Sequence, residues 1–163
     1  MDLPDRPPPT EQRRAAELAG EPVAHTGVDG CGAPLFAVSL TGLARAFRNL
    51  AIAGPGTPCR RVVDAIQAHP EFTSGTTRDE ARLVRAVPGL FGKAGAEAVY
   101  AVALDDGRAV AVKVEDGGAR ARPVVMSAAL RRLGIDHPVL DELGRAPLLG
   151  GGRPVGELHA VDW

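Results

Sequence analysis

Aromatic residues are scarce in this chain: one Trp, one Tyr and four Phe, 4% of 163 positions. The apolar share is still 45%. A core drawn from that stock must rest on Ala, Val and Leu, which bury less area apiece and stabilise less per residue. Lysine is scarcer. Of 19 basic residues only Lys93 and Lys113 are lysine. Arg therefore supplies the surface cations, and a retained Lys is a candidate for work Arg cannot do, such as giving up a proton or acting as a compact charge. Coding bias accounts for the same composition, and both readings stand at this level. Cysteine is limited to Cys31 and Cys59 with no CxxC pair, which excludes a locally closed thiolate metal site. A net charge of −1 offers no electrostatic footprint for nucleic acid or an anionic membrane. No apolar run approaches the ~20 residues that span a bilayer. The start, "MDLPDRPPPT", lacks the basic segment and apolar stretch of a signal peptide, so a cytoplasmic chain with free thiols is expected.

What is present reads as one domain. Residues 1–9 hold four prolines and form an expected disordered lead-in; residues 10–163 form the domain. "TEQRRAAELAG" predicts a helix, with Thr10 as N-cap and Gly20 past its end. "EPVAHTGVDG" predicts a strand closing in a Gly-rich turn. Leu40, Leu43, Ala44, Phe47, Leu50 and Ala51 recur at helical spacing and predict an amphipathic helix over 41–52. "GTPCRRVVDAIQAHPEF" predicts a helix over 58–68, with Thr57 as cap and Pro58 at its first position. Thr77 and Glu80 read as a capping box for a short helix that stops at Pro88 and Gly89. The period then changes. "EAVYAVALDDGRAVAVKVEDG" is two apolar runs about Asp105-Asp106-Gly107, a strong hairpin signal. Helical patterns follow, with stops at Gly134 and Gly144, and a last strand is expected over 154–161. Helices among antiparallel strands without repeated βαβ units indicate an α+β fold. The expected architecture is a small antiparallel sheet centred on the hairpin of 97–115, joined by the last strand and packed by the helices at 41–52 and 58–68.

The candidate chemistry is concentrated. Cys31 stands between two glycines, two residues after Asp29. Glycines let another group approach the backbone closely, and Asp29 can orient a ligand or an amine. A buried cysteine in a tight turn is the alternative. Cys59 reads as inert packing or a half-exposed helix thiol. Strand alternation puts Val110, Val112 and Val114 on one face and Ala109, Ala111, Lys113 and Glu115 on the other. Lys113 is then at the open edge of a site or in solvent. Lys93 sits in a glycine-flanked bend, four residues before Glu97. His25, His69, His137 and His159 show no metal-ligand spacing. Ser39, Ser74 and Ser127 lie in no Ser-x-x-Lys context.

Three segments supply the context. Asp-Gly-Cys-x-Ala-Pro at residues 29–34, Lys-x-Gly-Ala-Glu at 93–97 and Val-Lys-Val-Glu-Asp-Gly ending at Gly117 occur in the order found in the L-asparaginase II, or rhizobial-type, asparaginases. The chain resembles that family from about residue 11 to near its C-terminus. The resemblance implies half of a serine β-lactamase-like architecture and hydrolysis of asparagine to aspartate and ammonia by a serine that lysine activates. It implies zinc, with Cys31 as ligand, Asp29 lining the substrate pocket, and Lys113 as the catalytic amine beside a second serine. The family's Ser-x-x-Lys and Cys-Ser-Gly-Lys-His motifs do not occur here. The chain therefore matches the C-terminal half of a member, and two readings follow. It is asparaginase-like but inactive alone, needing an N-terminal half or complementing chain, with homo-oligomerisation possible. Otherwise it is a non-catalytic remnant or binding module. An exposed apolar surface is expected where the other half would pack.

Overall fold

The computed structural model describes residues 10–161. The chain is a mixed α+β protein whose strands form three separate antiparallel sheets among the described residues. Helix α1 covers Thr10–Ala19, α2 Leu40–Ala51, α3 Pro58–Ala68, α4 Pro70–Ser74 and α5 Asp79–Ala86. Helices α6 and α7 cover Arg122–Arg132 and Val139–Leu143. The strands are β1 His25–Val28, β2 Pro34–Ala37, β3 Leu90–Ala94, β4 Val99–Leu104, β5 Ala109–Lys113, β6 Arg145–Gly150 and β7 Arg153–His159. The lead-in expected over residues 1–9 lies outside the described residues.

The central sheet has the order β3-β4-β5. Its hairpin turns where the sequence predicts: Leu104 and Arg108 close the ladder, and Gly107 takes φ +89°. Such a backbone favours glycine because no Cβ meets the carbonyl. Alternation along the strands sorts side chains to two faces. Leu90, Tyr100, Val102, Leu104, Val110 and Val112 pack toward α5, α6 and α7, and form the larger core. Phe91, Ala103 and Ala109 face Phe47, Leu50 and Ala51 of α2, with Val63 and Ile66 of α3. The expected cover of one face by α2 and α3 is therefore present.

One aromatic pair joins α2 to the second face of the sheet. The rings of Phe47 and Phe91 stack 5.3 Å apart at 8°. Phe91 is 1% exposed. Phe91→Ala removes a buried aromatic side chain from this second core and leaves a cavity against Phe47. A loss of about 3–5 kcal/mol is expected, read as a lowered urea midpoint.

Three expectations need correction. The last strand does not join the central sheet. β7 pairs with β6 in a two-stranded sheet of its own, with an irregularity between Leu148 and Leu149. β6 has no counterpart in the sequence expectations; Gly151 and Gly152 take positive φ and make the hairpin turn that joins it to β7. Similarly, β1 is one arm of a hairpin whose other arm, β2, pairs Phe36 with Thr26. The capping box is the third. The cap of α5 is Arg78, with no side-chain bond, and Glu80 is turned inward, 2% exposed. A buried Arg122 draws it there in place of the helix N-terminus.

The two outer hairpins are exposed along most of their length. Val28 and Leu35 stand out on the first, and Leu149 and Val155 on the second, with Val28 78% and Val155 73% exposed.

Candidate active site

A cleft of about 680 Å³ lies between the β1–β2 hairpin, the start of α2, and the β3–β4 loop. Leu35, Leu40 and Leu43 wall it with apolar surface, and its polar groups come from His25, Asp29, Ser39, Glu97 and Lys113. A mostly apolar concavity with a few convergent polar groups is the usual form of a small-molecule site.

Lys113 ends β5 on the α2 face of the sheet, as alternation predicts. Its Nζ donates to the carbonyl oxygens of Glu97 at 2.7 Å and of Val114 at 2.6 Å. The amine is thus tied to the backbone at the cleft's end and set as a fixed cation, with one N–H left of the ammonium's three. Glu97 takes part through its carbonyl. The loop that carries it includes Ala98, which holds φ +52° and is fully buried. Lys93, expected in a bend, is instead within β3. It points to the α2 face and donates to the carbonyl of Ala94, and no ion pair to Glu97 occurs among the described residues.

Asp29 and Cys31 occupy the tip of the β1–β2 hairpin. Asp29 N–H donates to the Ala33 carbonyl at 2.9 Å, and Gly32 N–H donates back to the Asp29 carbonyl at 2.8 Å. Of the two glycines that flank Cys31, Gly32 is set by the turn, at φ +84°; Gly30 faces open space. The buried-cysteine alternative does not hold, because Cys31 is exposed. Its Sγ lies 3.4 Å from Asp29 Oδ2. Asp29 lines the cleft with Lys113, whereas Cys31 sits beside Asp29 outside the lining. Both cysteines are free, and Cys59 is half-buried on α3.

Zinc takes three or four protein ligands in tetrahedral array. Cys31 and Asp29 offer two donor side chains, and among the described residues no group of three or more His, Cys, Asp or Glu can hold a metal.

The sequence reading passed over one part of the cleft. Ser39 caps α2, its Oγ accepting from Gly42 N–H at 2.9 Å. The Ser39 hydroxyl and amide in turn donate to Glu21, at 2.9 and 2.6 Å. The Ser39 amide, and then its hydroxyl, hold the Glu21 carboxyl below its ordinary range. A Ser just ahead of an apolar-periodic stretch was a legible N-cap signal; its distant carboxylate partner was not. A Cβ at Gly42 would lie 2.6 Å from the Glu21 carboxyl, so a larger residue there would have to displace that side chain from Ser39. Ser39→Ala should destabilise α2 by about 1 kcal/mol, seen as a lower thermal midpoint.

The L-asparaginase II family model matches residues 9–160. The chain belongs to that family. None of the curated proteins matches it. The family match covers the cleft, the β1–β2 tip and Lys113 together. No helix among the described residues is long and apolar enough to cross a membrane.

Proposed function

We propose that this asparaginase-family chain supplies part of an asparagine-hydrolysing site, with Lys113 as the catalytic cation, Asp29 as a substrate-binding carboxylate and Cys31 as a metal ligand at the rim. The observation that carries this reading is the cleft itself. Asp29, in the turn of the β1–β2 hairpin, and Lys113, at the end of β5 in the central sheet, come from widely separated motifs, yet they line one apolar-walled cavity.

The chemistry follows from the bond to be broken. In amide hydrolysis by a serine, Oγ attacks the side-chain carbonyl, the tetrahedral adduct expels ammonia after a proton reaches the nitrogen, and water frees the acyl group. A cation at the attacking oxygen favours the alkoxide and stabilises charge as it develops. The Lys113 ammonium, held by two carbonyls, suits that electrostatic role. Asp29 suits the ammonium group of an amino-acid substrate. The chain has no Ser-x-x-Lys, and the one cleft serine, Ser39, has its hydroxyl committed to Glu21. We therefore assign the chain to the C-terminal part of a β-lactamase-like hydrolase whose nucleophile comes from an N-terminal half. The exposed Val28, Leu35, Leu149 and Val155 support a missing packing partner.

The test is ammonia release from asparagine by the purified chain, alone and mixed with the N-terminal half of a family member. The expected result is release by the mixture only. Release by the chain alone, abolished by Ser39→Ala, would overturn the assignment of the nucleophile. No release by a mixture that forms a stable complex would favour the non-catalytic module.

A further inference from the structure

Behind the cleft, on the opposite face of the central sheet, lies an ionic cluster with one buried cation for two adjacent carboxyl groups. Arg122 of α6 is 5% exposed and Glu80 of α5 2%. The Arg122 guanidinium approaches Asp79 Oδ1 at 2.6 Å and Glu80 Oε2 at 3.5 Å through the same nitrogen. It also sits 5.5 Å from the centre of the Tyr100 ring. Arg78 is the other cation near Glu80, 3.8 Å away but 57% exposed. The remaining charges that α5 meets are engaged elsewhere: Glu71 of α4 pairs with Arg85, and Glu142 of α7 pairs with Arg82. The β3 face toward α5 is apolar, through Leu90 and Ala94.

One buried guanidinium thus serves two adjacent carboxyl groups. Asp79 has the close contact. Asp79 Oδ2 and Glu80 Oε2 are buried without a hydrogen-bond partner, as are Tyr100 Oη and Arg122 Nε. Two carboxylate oxygens are acceptors only, so neither can satisfy the other while both groups are ionised. A single proton changes that, since a protonated carboxyl is a donor.

We propose that Asp79 and Glu80 share one proton, carried by Glu80, and that this acid–carboxylate pair is a proton-dependent latch joining α5, α6 and β4 behind the cleft. Glu80 donates its proton to Asp79, and Asp79 keeps its charge against Arg122. Burial, together with the neighbouring Asp79 carboxyl, pushes the Glu80 carboxyl up from its ordinary range. The same burial pushes the Tyr100 phenol up, so it stays a neutral donor. The latch bears on the cleft because Tyr100 directly follows Val99, a residue of the cleft wall. On unfolding, Glu80 returns to its ordinary acidity and releases the proton more readily.

The sign follows from linkage. A carboxyl raised in the folded state contributes stability that is fully present below its unfolded value and is lost as pH rises through its folded value. Glu21, Glu71, Asp106 and Asp116 are shifted the other way, and their contributions are lost at acid pH, outside this window.

The experiment is urea unfolding of the full chain across pH 5 to 9, for wild type and Glu80→Gln. Gln is a neutral donor of nearly the same shape. The wild type should lose stability relative to the variant as pH rises, by up to about tenfold in the unfolding constant per pH unit while one proton is released. Parallel profiles would overturn the proposal, and so would a Glu80→Gln chain that fails to fold at neutral pH. A second readout uses the wild type alone. With isotope-labelled glutamate, its infrared spectrum at neutral pH should hold one protonated carboxyl band, lost in Glu80→Gln; ionised carboxylates only would refute the latch.

Discussion

Lys113→Met should lower ammonia release by the two-part assembly by about 10²–10⁴-fold, through kcat more than KM. The reason is positional. Lys113 Nζ is tied to the Glu97 and Val114 carbonyls, so its charge stays at one end of the cleft and requires no reorganisation when the oxyanion develops. Its side chain is exposed, so the change should leave folding within about 0.5 kcal/mol of wild type, and a lost rate will report chemistry. Lys113→Arg separates two roles. Arg keeps the charge but cannot deprotonate. Partial activity in Lys113→Arg, with none in Lys113→Met, marks an electrostatic role; equal loss in both marks proton transfer. Activity of Lys113→Met within tenfold of wild type would remove Lys113 from the catalytic site.

Zinc should bind the isolated chain weakly and the assembly tightly, and Cys31 should be the residue on which this depends. The hairpin tip offers one thiol and one carboxyl, 3.4 Å apart, on an exposed turn that includes Gly30 and Gly32. Zinc held by two donors leaves the rest of its tetrahedral shell to water, and each added protein ligand raises affinity steeply. Titration of the assembly should show one zinc per complex, lost in Cys31→Ala and kept in Cys59→Ala. Cys59 lies on α3 beside a different groove, with Arg14 and Val62, so it serves as the control. Stoichiometric tight zinc in the isolated chain would contradict a shared site, and loss of zinc in Cys59→Ala would contradict the ligand.

These outcomes bear on residues that differ in how far the sequence alone exposed them. Lys113 and Asp29 were singled out by their motifs, and the structure places both in the same cleft. Cys31 was visible by its glycine neighbours, but whether it was buried or exposed was open until the hairpin tip was seen. Glu21, Ser39 and Glu80 went unassigned or wrongly assigned. Each takes its role from a partner far away in the chain: Ser39 for Glu21, and Arg122 for Glu80.

The sequence by itself determined what depends on neighbours within a turn or two. The apolar spacing of α2, the Thr57 and Pro58 start of α3, and the Asp105-Asp106-Gly107 turn are local matters of period, capping and backbone conformation, and each lies where these rules put it. The α+β class and the two faces of β5 follow from the same periods. Only the tertiary structure decided the pairings. β2 and β6 are mostly exposed, with Pro34 opening the one and Pro147 inside the other, so their patterns carry no clear alternation. They are strands because a hairpin partner satisfies their backbone groups. The cleft and the Arg122–Asp79–Glu80 cluster arise in the same way, because convergence of distant side chains depends on chain closure, which no local period encodes.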